Sequence, residues 1–337
     1  MQNIYGLTLK ELEEYFLSID EKPFRASQIY DGLYKKRFTS FHQMTNISKK
    51  LREKLSEDFS LFKIKLLVKQ EGVNVNKYLF ELEDGNKIES VLMFHDYGIS
   101  ICVSSQVGCN MSCAFCESGR LKKVRNLMAY EMVEQILLIE DDIQKKITHV
   151  VVMGIGEPFD NYDNLLHFIK IINSGKGIDI GSRHITVSTC GLIPEIKKFS
   201  CEEGQVNLAI SLHAPNNVIR NKIMKINKVY PIEELIETVK EYIKKTNRRV
   251  TFEYILLDGI NDSEKEAKEL ASLLQGINCY VNLIPYNETT NINFRRTRKW
   301  KILKFYDILK THKINVTIRK EFGGNVSAAC GQLRANN

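Results

Sequence analysis

Ile99-Ser100-Ile101-Cys102-Val103 runs into Ser104-Ser105-Gln106-Val107-Gly108-Cys109-Asn110-Met111-Ser112-Cys113-Ala114-Phe115-Cys116. The first five residues read as a buried strand, and a C-x3-C-x2-C loop follows at its C-terminal end. Thiolates hold iron–sulfur clusters, and three this close suit three irons of a [4Fe-4S] cube, leaving the fourth iron open to a substrate or cofactor. Zinc is the alternative reading. It needs a fourth Cys or His, typically as two C-x2-4-C pairs or a Cys pair with a His pair. No second pair is present: Cys102, Cys190, Cys201, Cys279 and Cys330 are singletons.

Downstream of this loop the chain alternates. Strand-like runs lie at 149–153, 184–188, 206–212, 250–257, 279–284 and 316–318, with helix-like runs near 129–143, 162–172, 231–244, 263–274 and 297–310. Such alternation gives an α/β fold with a parallel sheet, open or curled into a partial or complete β/α barrel. Chemistry in these folds sits at the C-terminal ends of the strands, which is where the cysteine loop falls. Residues 95–337 are expected to form this core.

Upstream the period changes twice. Over 61–94, Ile64, Leu66 and Val68, then Tyr78, Phe80 and Leu82, recur every second residue; Asp84-Gly85-Asn86 is a turn, and an extended run resumes at 88–94. This predicts a short antiparallel β connector. Residues 1–60 read as small helices: Thr8-Leu9-Lys10-Glu11 fits a capping box, and Leu9, Leu12, Phe16 and Ile19 recur at helical spacing. A basic second run carries Ile29, Leu33 and Phe38, and a third spans 48–59.

Composition narrows the class. With 43% hydrophobic and 26% charged residues the chain is globular, and 48 Lys+Arg against 41 Asp+Glu leave a formal charge of +7. No apolar run approaches the roughly 18 residues of a membrane span, and the N-terminus lacks the pattern of a secretory leader. A cytoplasmic protein without membrane contact is expected, and eight cysteines in a reducing compartment read as ligands or catalytic groups. Gly154-Ile155-Gly156-Glu157 is not a dinucleotide fingerprint, because Pro158 and Phe159 stand where the third glycine would be needed. Arg295-Arg296-Thr297-Arg298-Lys299-Trp300-Lys301 and Lys244-Lys245-Thr246-Asn247-Arg248-Arg249 are charge-dense; each reads as a solvated helix end or as phosphate contacts.

Cys109, Cys113 and Cys116, with Phe115 before the last thiol, resemble the motif of radical S-adenosylmethionine (SAM) enzymes. The run from Ser104 to Cys109, Arg125-Asn126-Leu127, Met153-Gly154-Ile155-Gly156-Glu157-Pro158, Ser211-Leu212-His213-Ala214-Pro215, Ile226-Asn227-Lys228 and Ala328-Ala329-Cys330-Gly331-Gln332-Leu333 occur in that order. Together they resemble the RlmN/Cfr family of RNA methyltransferases over nearly the whole chain.

The resemblance implies a partial (β/α) radical SAM barrel with a small N-terminal helical RNA-binding domain and the β connector. It implies one [4Fe-4S] cluster on Cys109, Cys113 and Cys116, and SAM bound by Gly156, Glu157, Ser188, Ser211, Leu212, His213 and Asn287. In the mechanism it implies, one SAM methylates Cys330 and a second is cleaved reductively to a radical. That radical activates the methyl-cysteine for addition to an adenine ring carbon. Glu89 is then the general base, and Cys102 releases the RNA by forming a transient disulfide with Cys330. The implied partners are 23S rRNA, modified at C2 of adenosine 2503, tRNA modified at adenosine 37, and an electron donor such as flavodoxin or ferredoxin. A monomer is expected. Two other readings stay open: C8 methylation of the same rRNA adenosine, which shares every catalytic residue named, and a non-catalytic zinc-stabilised RNA-binding protein. The sequence departs from the family pattern at Gly323-Gly324-Asn325-Val326-Ser327, at Glu288 and at Glu117-Ser118-Gly119.

Overall fold

The computed structural model describes residues 1–202, 204–289 and 291–319. Thr8 opens α1 (Leu9–Ser18) through the reciprocal capping box with Glu11, and Leu12 and Phe16 turn inward. α2 (Arg25–Tyr30) runs on into one wider turn at Asp31–Lys35, and α3 (Lys49–Asp58) starts on a Ser48 cap. Gln2–Asn3 pairs in parallel with Phe59–Ser60, closing this helical unit on itself.

Three antiparallel strands follow: β1 (Lys65–Gly72), β2 (Val75–Glu81) and β3 (Lys87–His95). Alternation holds in β2, where Tyr78 and Phe80 are buried, but not in β1. β1 is the sheet edge, its register shifts between Leu66 and Val68, and Leu66, Leu67 and Val68 are all exposed. With one neighbour and a bulge, its period two has no face to bury.

From β4 (Gly98–Cys102) the sheet is parallel, through β5 (His149–Val152), β6 (Ile185–Thr189), β7 (Asn207–Ser211), β8 (Val250–Leu256), β9 (Cys279–Pro285) and β10 (Val316–Ile318). Each strand pairs with its predecessor in sequence, and β3 joins the antiparallel part to β4 with Val91 opposite Cys102. The crossovers carry α4 (Ala129–Ile143), α5 (Tyr162–Ile172), α6 (Ile193–Phe199), α7 (Asn217–Ile223), α8 (Ile232–Thr246) and α9 (Glu264–Leu274), and α10 (Lys299–Thr311) precedes β10. α6 and α7 escape a periodicity reading because seven residues are barely two turns.

In a flat sheet β3 and β9 would stand ~29 Å apart, at roughly 4.8 Å per strand. Yet Met93 of β3, Ser100 of β4, Val151 of β5 and Asn282 of β9 line one cavity. The sheet is therefore curled into a partial barrel, with β10 and β1 as its two edges. A continuous apolar core runs from Ile4 and Tyr5 through Phe168 to Val316, so the helical unit is seated on the barrel. Glu134 of α4 clamps that seat. Its Oε1 accepts from Asn3 Nδ2 at 2.6 Å, and its Oε2 accepts from the backbone N of Lys63 at 2.8 Å and of Ile64 at 2.9 Å. No helix among the described residues is long and apolar enough to cross a membrane.

Candidate active site

The loop after β4 brings Cys109, Cys113 and Cys116 to the wall of a cleft of about 860 Å³ at the C-terminal ends of the parallel strands. Two glycines let the loop fold this tightly. Gly108 has φ +74° and a Cβ there would stand 2.1 Å from Lys122 O; a Cβ on Gly119 would stand 2.8 Å from Cys113 O. Phe115 meets His213 edge-on with ring centroids 4.8 Å apart, and Ala114 N donates to Ile223 O of α7 at 2.9 Å. These contacts fasten the loop to the end of β7 and to α7. Burial pushes the Cys109 thiol up to about 12 and Cys113 well above the ordinary range. Ligation by a metal removes such protons outright.

The facing wall comes from β5, β6 and β7. Glu157 is buried; its Oε1 accepts from Phe159 N at 3.1 Å and its Oε2 from Cys190 N at 2.8 Å, which fixes the carboxylate, while burial raises its pKa. The Ser188 and Ser211 hydroxyls lie 3.5 Å apart. His213 holds a left-handed backbone at φ +57°, a strained conformation of the kind concentrated at functional sites. Its Nδ1 accepts from Ile255 N at 3.0 Å, which places the ring proton on Nε2. Burial, with the Arg220 charge beside it, pulls its pKa down to about 3, so the ring is neutral at physiological pH.

Cys109, Cys113, Cys116, Gly156, Glu157, Ser188, Ser211 and His213 thus share one cleft. Leu212 lies behind it, its side chain in the main core. Asn287, two residues past β9, is partly exposed and outside the lining of the cleft. Cys330 lies outside the described residues. Glu89 and Cys102 come together elsewhere. Because Val91 sits opposite Cys102, Glu89 projects from the same face of the sheet as Cys102. Glu89 is buried and ion-paired with Lys77 Nζ at 3.0 Å. Its backbone oxygen accepts from Ser104 Oγ at 2.6 Å, and that hydroxyl accepts from Ile155 N at 2.9 Å. Ser104 therefore ties the Glu89 strand to the turn that carries Glu157.

Several cleft residues escaped the sequence reading. Glu253 of β8 lines the cleft, accepts from Asn282 Nδ2 at 2.8 Å, and is held above the usual carboxylate range by burial. A lone acid in the apolar run Val250–Leu256 was the available signal. Cys190 also lines the cleft. The two basic runs separate. Arg295 and Arg298 on the loop after β9, and Lys299 and Trp300 at the start of α10, are exposed at the cleft end, where Arg295 O accepts from Asp258 N at 3.0 Å. Residues 244–249 lead into β8 and so lie at the opposite end of the barrel, with Arg249 over the Tyr280 ring at 4.6 Å and Arg248 bonded to Val206 O at 2.5 Å.

Three soft thiol donors on one loop suit an iron–sulfur cluster, and the open wall of Glu157, Ser188, Ser211 and His213 supplies the polar groups a SAM molecule needs. Comparison with known proteins points the same way. The model of the ribosomal RNA large subunit methyltransferase N-terminal domain matches residues 2–61, and that of the radical SAM superfamily matches residues 103–271. A probable dual-specificity RNA methyltransferase RlmN of Spiroplasma citri is 52% identical over 341 residues, which cover 100% of this chain and 98% of that protein. A protein of the same name from Enterococcus faecalis is 53% identical over 343 residues, covering 99% and 96%. The crystal structure of a radical SAM methyltransferase from Sphaerobacter thermophilus matches with a TM-score of 0.95 at 41% identity, over 100% of both chains. The chain belongs to the RlmN family of radical SAM RNA methyltransferases.

Proposed function

We propose that this enzyme methylates C2 of adenosine in RNA, at adenosine 2503 of 23S rRNA and adenosine 37 of tRNAs, using two SAM molecules per turnover. The observation that carries this reading is the grouping of side chains: three thiols and four SAM-type contacts in one cleft, with Glu89 and Cys102 on one face next to it and Ser104 joining the two. A bound [4Fe-4S] cluster would supply the one-electron chemistry on SAM that an unactivated adenine carbon demands. Cys109, Cys113 and Cys116 hold it. Gly156, Glu157, Ser188, Ser211, His213, the Leu212 backbone and Asn287 orient SAM. Cys330 carries the methyl group, Glu89 takes the ring proton, and Cys102 forms the disulfide with Cys330 that frees the RNA. Lys77 holds the Glu89 carboxylate in place meanwhile.

The exposed Arg295, Arg298 and Lys299 at the cleft end offer phosphate contacts, and Trp300, 58% exposed, offers a stacking face. A flavodoxin or ferredoxin class donor supplies the electron, and the enzyme works in the cytoplasm as a monomer. The deciding experiment is mass spectrometry of nucleosides from rRNA and tRNA of cells with and without the gene. Loss of C2-methyladenosine is expected; loss of C8-methyladenosine alone overturns the regiochemistry. Cys330→Ala should abolish methylation with the cluster retained, and Cys102→Ala should trap protein on RNA as a covalent adduct on denaturing gels.

A further inference from the structure

Arg220 of α7 is fully buried. Its Nε donates to Leu212 O at 3.1 Å, its Nη1 to Asn227 Oδ1 at 2.9 Å, and its Nη2 to Cys190 O at 2.7 Å and Ser211 O at 3.2 Å. Every acceptor is neutral. A guanidinium removed from water costs several kcal/mol unless an anion compensates it, and neutral carbonyls do so only in part. Among the described residues the groups whose negative charge would favour it are two thiols, Cys190 and Cys113. Of the two, Cys113 is the one that ligation would make a thiolate. α7 also lies directly against the cysteine loop: Ile219 and Ile223 pack with Phe115 beside Cys113 and Cys116.

We propose that Arg220 is the buried counter-charge of the iron–sulfur cluster, raising its reduction potential by favouring the reduced state, which carries one more negative charge. This rests on the reading of Cys109, Cys113 and Cys116 as cluster ligands. In a water-excluded site a fixed cation is weakly screened, so its field reaches the loop across the thickness of one helix contact. The same guanidinium is a positioning residue, because it ties together the ends of β6 and β7 that carry Cys190 and Ser211. Charge and hydrogen bonding must therefore be tested apart.

The test is a dithionite titration of the reconstituted full chain, with electron paramagnetic resonance reading the reduced cluster. Arg220→Gln keeps amide donors without charge, and Arg220→Lys keeps the charge. Asn227→Asp leaves the guanidinium in place but sets an anion on its Nη1. Arg220→Gln and Asn227→Asp should each shift the equilibrium at least tenfold toward the oxidised cluster, which is 59 mV for one electron, while Arg220→Lys stays within threefold of wild type. Wild-type potentials in both neutralised variants overturn the proposal. Linkage gives a second readout, since charge and cluster stabilise one another reciprocally. Reconstitution should raise the melting temperature less in Arg220→Gln and Asn227→Asp than in wild type, and an equal rise counts against the counter-charge. A wild-type protein that takes up no iron fails the cluster reading itself, which separates the two failures.

Discussion

Two helices of this molecule each bury a charged side chain that is satisfied by neutral partners. Glu134 of α4 accepts from two backbone amides and Asn3; Arg220 of α7 donates to three backbone carbonyls and Asn227. In hydrogen bonding they are mirror images. Their surroundings differ. Beyond Glu134 lie the apolar seat of the helical unit and the like charge of Glu131, and burial pushes its carboxyl up to about 7 against the pull of its three donors. Beyond Arg220 lie thiols, and burial lowers its pKa only to about 10, so it remains a cation. Hydrogen bonds decide where a buried ionisable group sits; the next shell decides whether its charge survives to act on something else.

The comparison breaks first under removal of the side chains. Arg220→Met strips donors from three buried carbonyls and from Asn227, and at ~1–3 kcal/mol for each orphaned group the expected loss is about 4 kcal/mol or more in chemical denaturation. Glu134→Leu orphans three donors and should cost about 3 kcal/mol. The two losses should also fall in different places. Hydrogen exchange should report opening of the β6 and β7 ends in the first variant and of the helical unit and residues 59–64 in the second. If both variants unfold within about 1 kcal/mol of wild type, the bonds do not anchor the elements they join.

These two charges also mark the limit of what the sequence discloses. The alternation of strands and helices after residue 98 was legible because each period is local, and so was the cysteine loop. Glu134 and Arg220 were not. Each sits in a helix among other charged or polar residues; the donors to Glu134 lie 70 to 131 residues away, and Arg220 reaches across 30 residues to Cys190 as well as to nearer acceptors. Nothing local distinguishes them from a solvated helix face. The expected SAM contacts were legible only as a family pattern; each strand-end Ser or Asn alone reads as a turn cap. Leu66 and Val68 misled because alternation records what a strand could bury, while position at the sheet edge decides whether it does.

A third position sharpens the contrast, because backbone rather than charge shapes the cleft there. Gly156 has φ +111°, and a Cβ would stand 2.6 Å from Gln106 Cβ and 2.9 Å from Gln106 N. Gly156→Ala therefore adds strain and displaces the strand end that carries Glu157, at a cost of about 2–3 kcal/mol. SAM affinity measured by calorimetry should fall at least tenfold with the cluster still loaded. Unchanged affinity would mean that the turn is free to adjust and that the tight approach to Gln106 does not shape the site.

The smallest expected effect isolates Glu134 by pH. Its folded-state carboxyl titrates at about 7 against an ordinary 4.5, so the folded chain holds a proton that the unfolded chain releases. The stability this contributes is fully present below 4.5 and is lost as pH rises toward 7, by roughly 2 kcal/mol between pH 5 and pH 7. Glu134→Gln cannot titrate. It should lower stability at pH 5, where an amide fits two backbone donors less well than a carboxyl group does, and it should remove this descending slope. Urea unfolding of both proteins at pH 5, 6, 7 and 8 gives the difference directly, since every other titrating group is shared. A difference that stays constant across the series would mean that the three donors keep Glu134 ionised in the folded state. The contrast with Arg220 would then vanish, leaving two buried charges that differ only in sign.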